Sequence, residues 1–362
     1  MDLQTLDSRI LSVAEDCVAG FHRRPFAAVA SASGVEESVV LERLKALLEQ
    51  GRVRRVRQTL LSTSLAEGAL VAWKLPEDAL HPAFDWLSAN DPFTGHIVIR
   101  RADPPTAPGA DYRLWTTLKV PTGGGSVQEH CRMLARCTGA ENWVVMPVVG
   151  MFTLGVGHTR RARLQPGDRM PEPPRMQVPQ RPQLSEEDWR VLLSLKESLQ
   201  PHEFVSCPWE ARAAAIGMDA ERYCRVAESL DERGVIGRFA AFLDHRGAAN
   251  KHAGTGYAAL FHWAVPPGME ERAGAAIGSH ICMTHCYWRS GAEEVFGGAQ
   301  IMGVAHAASR EMLDAHKAAM DAYLAEQGIP LLHTVAFRSE RAEIRPSEIS
   351  PVVYAEWRKL HA

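Results

Sequence analysis

The hexapeptide Thr284-His285-Cys286-Tyr287-Trp288-Arg289 places an imidazole, a thiol, a phenol, an indole and a guanidinium in consecutive positions. A metal centre would draw on Cys282, Cys286 and His285. The run reads as a strand, however, and side chains alternate along a strand. His285, Tyr287 and Arg289 then share one face, while Cys282, Thr284, Cys286 and Trp288 take the other. The histidine points away from both thiols, and no second Cys/His pair of the zinc type follows, so the spacing argues against a metal. What remains is a face with a group that exchanges protons near neutrality and a guanidinium that grips carboxylates in bidentate fashion. Its plainer reading is an oligomer interface or a solvated face.

A second copy of the pattern lies in GHIVIR (95–100), where His96 and Arg100 occupy the places of His285 and Arg289, with Val98 between them. Further polar groups fall on neighbouring elements. DHRGAANKHAG (244–254) carries His245, Arg246, Lys251 and His252, His306 ends the strand after the hexapeptide, and Arg113 with Trp115 sits on the equivalent strand of the first copy. Each alone is an ordinary surface residue. Together, in a protein of net charge −3, they form a basic, imidazole-rich cluster suited to an anionic, carboxylate-bearing small molecule.

The elements that must position these residues repeat as well. The chain has 362 residues, too many for one typical domain, with an ordinary soluble composition of 46% hydrophobic and 23% charged residues. A proline-rich segment (161–183) reads as a linker between two similar halves. LLEQGRVRRV (47–56) is echoed by LDERGVIGRF (230–239), with Gly51 matching Gly234 and Arg55 matching Arg238. Each is a helix stopped by a left-handed glycine and followed by an apolar strand. Each half then gives strand–helix–strand–strand–helix–strand signals. The expected class is α+β, with two tandem copies of a winged helix-turn-helix domain followed by a ferredoxin-like sandwich. The expected boundaries are 1–60 and 61–160 in the first half and 184–243 and 244–362 in the second.

Several function classes are disfavoured. The helices that would enter DNA carry Glu36, Glu37 and Glu42 in the first half and are equally acidic in the second, whereas phosphate binding needs basic residues there. No apolar run is long enough to span a bilayer. The N-terminus lacks a secretory h-region, and seven cysteines do not suggest a disulfide framework, so a cytoplasmic location is expected. There is no G-x-G-x-x-G, P-loop or G-x-S-x-G motif, and TGGGS (122–126) is a weak phosphate-loop look-alike.

The quoted segments resemble a known family. A helix-turn-helix followed by a ferredoxin-like domain is the Lrp/AsnC architecture, and two copies in one chain resemble the siroheme decarboxylases of the two-half fusion type, from heme d1 and alternative heme biosynthesis. GRFAAFLDHRGAANKHAG resembles the family's Arg-Arg-Phe-Gly-Ala…His-Arg stretch at Arg238, Phe239, Ala241, His245 and Arg246. THCYWR resembles its His-Cys-Tyr-x-Arg motif, AQIMGVAH keeps His306, and DYRLWTTLKVP resembles its Tyr-Asn-Leu-Trp-Phe-Thr-Leu strand. The chain departs from the family at FGGAQ (296–300), where the family has Trp-Pro-Tyr-Asn, and at Arg113, where it has asparagine.

The resemblance implies non-redox, acid-assisted removal of acetate carboxyl groups as CO2 from an iron tetrapyrrole, which is the substrate, with no separate cofactor required. It implies His285 as general acid, with His245 or His306 as the runner-up. Arg289 and Arg246 would be carboxylate clamps, and Tyr287 would hydrogen-bond a carboxylate or stack on the ring. Arg238, His96, Arg100, Arg113 and Trp115 would complete the substrate wall. An axial histidine to iron would compete with the acid role. The two halves are expected to form an internal pseudo-dimer, with further homo-oligomerisation open. The alternatives are an Lrp/AsnC-type regulator and a tetrapyrrole sensor without chemistry.

Overall fold

The computed structural model describes residues 3–154, 164–243 and 257–361. In chain order the elements are α1 (Leu3–Ala14), β1 (Val18–Ala19), α2 (Pro25–Ser33), α3 (Glu37–Glu49), β2 (Val53–Leu60), α4 (Ser62–Leu65), β3 (Ala66–Lys74), α5 (Leu80–Asn90), β4 (Thr94–Asp103), β5 (Tyr112–Pro121), α6 (Val127–Thr138) and β6 (Asn142–Leu154). The second half gives α7 (Glu186–Lys196), α8 (Trp209–Ala215), α9 (Ala220–Glu232), β7 (Ile236–Leu243), β8 (Tyr257–Ala264), α10 (Glu270–Gly278), β9 (Met283–Arg289), β10 (Ile301–Ala307), α11 (Arg310–Glu326), β11 (His333–Ile344) and α12 (Pro351–His361). The α+β class holds.

Two compact units emerge, each assembled from both halves. Among the described residues, one contains 3–64 and 182–243 and is mainly helical. Its three-stranded sheet has β7 in the middle, antiparallel to both β1 and β2, so a strand of the second half is completed by strands of the first. The repeated stop signal is present in both copies. Gly51 and Gly234 have φ of 69° and 68°, a region where a side chain is strained, and each chain then enters a strand. At the start of α7 the sequence Ser185-Glu-Glu-Asp188 forms a full capping box, in which the Ser185 hydroxyl accepts from the Asp188 amide and the Asp188 carboxylate accepts from the Ser185 amide.

The other unit contains, among the described residues, 65–154, 164–181 and 257–361. Each half contributes four strands in the same order, β4-β5-β3-β6 and β9-β10-β8-β11. The two sheets expected from the repeat do not stand apart. The outer strands of each set pair with those of the other, β11 with β4 and β6 with β9, and the eight strands close into one antiparallel barrel. Closure removes all four edges that two separate sheets would expose, and with them their unpaired backbone groups.

Closure also explains why these strands read as nearly continuous apolar runs, since both faces are buried. The outer face carries two cores. Val71, Trp73, Ile97, Ile99 and Leu118 pack with α5, α6 and α12, while Phe261, Trp263, Met283, Cys286 and Ile301 pack with α10 and α11. The inner face carries a third, built on Leu70, Ala72, Trp115, Met146, Leu260, Met302, Val335 and Phe337. Phe296, from the connection between β9 and β10, is fully buried in this inner core, its ring 5.2 Å from that of Trp115 and 5.4 Å from that of His262. Burying a ring of that size stabilises the fold by about 2–3 kcal/mol. The connection approaches the turn before β5 so closely that a Cβ on Gly109, at φ 77°, would sit 2.2 Å from the Phe296 ring. The proline-rich segment read as a linker lies against this unit over 164–181. Met151 and Gln177 form a bridge, and the Arg169 guanidinium stands 3.5 Å above the Tyr323 ring.

Candidate functional site

Strand alternation, anchored by the three cores, assigns His96, Arg100, Trp115, His285, Tyr287, Arg289 and His306 to the barrel lumen. The two cysteines of the hexapeptide region lie in the outer core, as the alternation predicted. His285, Tyr287 and Arg289 form a ladder: the imidazole and phenol rings are stacked with centroids 6.1 Å apart, and the guanidinium lies 4.5 Å from the phenol centroid. Among the described residues no group of three or more His, Cys, Asp or Glu is arranged to hold a metal.

One residue departs from simple alternation. Between Val304 and Ala305 the pairing of β9 with β10 slips, so that His285 and Met283 face consecutive partners and Thr284 is bulged. Thr284, expected on the cysteine face, instead sets its hydroxyl 3.1 Å from His285 Nδ1 and 3.3 Å from His306 Nδ1. That hydroxyl donates to the Val304 carbonyl at 3.1 Å. A hydroxyl that donates to a carbonyl accepts from an imidazole nitrogen only when that nitrogen carries its proton, so this arrangement favours the Nδ1–H form of both rings.

The two arginines occupy equivalent positions in the two halves. Arg289 Nη1 donates to the Met146 carbonyl at 2.9 Å, and Arg100 Nη1 is 3.4 Å from the Phe337 carbonyl. Met146 on β6 and Phe337 on β11 hold equivalent places, each on the strand that closes the barrel against the arginine's own strand. Arg100 also donates to the Ser339 hydroxyl at 2.9 Å. Both guanidiniums are buried, 7% and 6% exposed, and the Nε of each has no hydrogen-bond partner. No carboxylate among the described residues pairs with either. Burial accordingly lowers Arg100 to about 9 and Arg289 to about 10. A buried cation held by neutral acceptors alone is costly, and an incoming carboxylate removes that cost.

The remaining sequence candidates are placed differently. Trp115 is 1% exposed, bonded through Nε1 to the Tyr112 carbonyl, and part of the packed end of the lumen with Phe296 and Phe337. Arg113 sits where the β3–β5 register slips, and its guanidinium is already engaged by Glu77, Glu340 and the Arg100 carbonyl. Arg238 is on β7 in the helical unit, with a buried and unpartnered Nε and a value lowered by burial. His245 and Arg246 lie outside the described residues. The turn TGGGS borders a surface cavity of about 580 Å³ with Tyr354, Arg358 and Lys359. There the capping pair of Ser126 and Glu129 already occupies the start of α6, which leaves no free seat for a phosphate.

Two lumen residues were not singled out in the sequence. His262 is fully buried, with both ring nitrogens unpartnered, among Trp115, Phe296 and Phe337. Burial, with Arg100 and Arg289 adding to it, holds it well below the usual histidine range. Lys119 follows Trp115 and Thr117 on the inner face of β5. The apolar register of β8 and β5 could have flagged both as polar breaks in core strands, but only once the inner face was known to be enclosed.

No family model matches the sequence. A siroheme decarboxylase of Hydrogenobacter thermophilus is 28% identical over 273 residues, which cover 75% of this chain and 75% of that protein. The siroheme decarboxylase NirDL subunit of Paracoccus pantotrophus is 24% identical over 299 residues, 80% of this chain and 81% of that one. Among solved structures, the siroheme decarboxylase NirDL superposes with a TM-score of 0.68 over 98% of this chain and 97% of that one, at 22% identity. A second crystal structure of NirDL, in complex with an iron-uroporphyrin III analogue, superposes with a TM-score of 0.67. Over three quarters of its length the chain is thus similar in sequence to a siroheme decarboxylase, and over nearly all of it the fold is that of the NirDL structure.

Proposed function

We propose that this protein is a carboxy-lyase of the siroheme decarboxylase type, removing acetate carboxyl groups as CO2 from siroheme or a related iron tetrapyrrole. The observation that carries the reading is the pair of buried guanidiniums Arg100 and Arg289, one from each half of a closed barrel and neither paired with a carboxylate among the described residues. A substrate bearing several carboxylates on a rigid ring supplies the missing anions. The relatives named above support the same substrate class.

In this mechanism Arg289 and Arg100 hold peripheral carboxylates by charge-assisted hydrogen bonds. Tyr287, stacked between His285 and Arg289, presents its ring or hydroxyl to the substrate. The C–C bond to the departing carboxylate breaks, the electron pair flows into the macrocycle, and a proton completes the methyl group. His285 is the donor, with His306 as its neighbour through Thr284. No electrons are gained or lost overall, so the chain's own residues need supply only binding and a proton. We also read the barrel as two ferredoxin-like sheets joined edge to edge into an internal pseudo-dimer, the helical unit as a pair of winged helix-turn-helix copies, and the location as cytoplasmic.

Anaerobic incubation of the purified protein with siroheme, followed by mass spectrometry of the extracted pigment, tests the reaction. Stepwise loss of CO2 is expected. Pigment of unchanged mass with a shifted Soret band would replace the enzyme by a tetrapyrrole sensor.

A further inference from the structure

The repeat that matches His96 with His285 and Arg100 with Arg289 also supplies a counterpart for His306. Pairing of β4 with β5 sets Val98 opposite Trp115, and pairing of β9 with β10 sets Tyr287 opposite Met302. Two and four residues further along the same inner face come Thr117 and Lys119 in the first half, Val304 and His306 in the second. Lys119 therefore stands where the second half has its second imidazole.

The lysine does not lie along its own strand. It is register-paired with Gly68 on β3, and a Cβ built on Gly68 would fall 2.6 Å from Lys119 Nζ and 2.7 Å from its Cδ. The missing side chain at Gly68 is what lets the aliphatic chain lie flat across β3, toward β6 and β9. On that row β6 runs one residue past the Ala69–Pro147 pair to Val148, and Val148 is paired with Arg289 on β9. Arg289 and Arg181, the latter from the proline-rich segment, are the charges acting on the lysine. No carboxylate among the described residues pairs with Lys119. Burial, reinforced by these two cations, lowers it to about 7. When Lys119 is protonated, it and Arg289 lie on one row of the lumen wall with no carboxylate partner among the described residues, and they repel unless an anion sits between them.

We propose that Lys119 of the first half and Arg289 of the second form one composite carboxylate seat, which selects a tetrapyrrole with carboxylates spaced to reach both halves. The seat rests on the tetrapyrrole reading above and deepens it, because it adds a specificity-determining residue that the family motifs do not contain. Binding an anion raises the lysine again, so a protein with Lys119 largely neutral at pH 8 must take up a proton as the ligand binds.

The test is calorimetric titration at pH 8 in buffers of different ionisation enthalpy, with iron uroporphyrin and, separately, with benzenehexacarboxylate. Wild type should take up close to one proton. Lys119→Met should lose that uptake and bind at least tenfold more weakly. Lys119→Arg, which keeps the charge but does not titrate, should recover affinity without the uptake and so separates a lost seat from a misfolded barrel. Equal affinity and equal uptake in wild type and Lys119→Met would overturn the seat. If wild type gives no Soret change with iron uroporphyrin, the tetrapyrrole reading falls, and the same comparison with benzenehexacarboxylate still decides the seat.

Discussion

Arg289 and Arg100 occupy equivalent positions in the two halves but have different neighbours. Arg289 has one carbonyl acceptor and Tyr287 beneath it, with His285 next on the ladder. Arg100 has a carbonyl and the Ser339 hydroxyl, and its ladder carries Val98 where the other has a phenol. Its own carbonyl is taken by Arg113, which Glu77 and Glu340 neutralise. The repeat has thus kept an imidazole and a guanidinium in both places, and the phenol and a second imidazole in one. Under the proposed mechanism the first half is the clamp and the second the reacting wall.

That asymmetry can be broken by paired substitutions. The largest effect is expected for Arg289→Met, which removes a charge-assisted seat worth about 1.5–3 kcal/mol per bond and should weaken iron-uroporphyrin binding about a hundredfold. Arg100→Met, measured by the same Soret titration, should cost less, because Ser339 already satisfies part of that guanidinium. Next comes turnover. His285→Ala should lower kcat about a hundredfold with little change in affinity, whereas His96→Ala should change it by no more than a few-fold. Equal losses would make the two ladders equivalent. Thr284→Val should lower kcat roughly tenfold by releasing the two imidazoles from the Nδ1–H form, about the worth of one hydrogen bond. Its mark would be a changed pH profile with an unchanged Tm.

The smallest effect concerns the packed end of the lumen. His262 is neutral in the fold with its value held well below that of the unfolded chain. The unfolded state therefore binds the extra proton, and stability falls as pH drops through the ordinary histidine range near 6.5. His262→Phe removes two unsatisfied nitrogens from an aromatic cluster. It should leave stability unchanged or raise it slightly at pH 7, and should flatten the fall in Tm between about pH 7 and 5.

Much of the site was legible because strand alternation is local. The shared face of His285, Tyr287 and Arg289, and its echo at His96 and Arg100, needed only a period of two. What escaped the sequence is non-local or breaks that period. The bulge at Thr284 turns a hydroxyl toward the imidazoles without any signal in the residue types around it. The slip at Arg113 carries its guanidinium to Glu77 and Glu340. Closure of the barrel depends on β11 pairing with β4 from the other half, for example Ile344 with His96, and no short-range pattern announces such a partner. Lys119 then gains its meaning only from Gly68 across the sheet. Trp115, chosen for its motif, is core because Phe296 fills the space beside it. The stop at Gly51 and Gly234 and the capping box at Ser185 were readable, since each is set by a few consecutive residues.

The central claim is that the unpaired guanidiniums of the lumen await substrate carboxylates. A crystal structure of the protein with iron uroporphyrin tests it most directly. Carboxylate oxygens are expected within hydrogen-bonding distance of Arg289 and Arg100, with both Nε atoms satisfied. A macrocycle bound elsewhere, with the two arginines still held only by the Met146 and Phe337 carbonyls and the Ser339 hydroxyl, would contradict it.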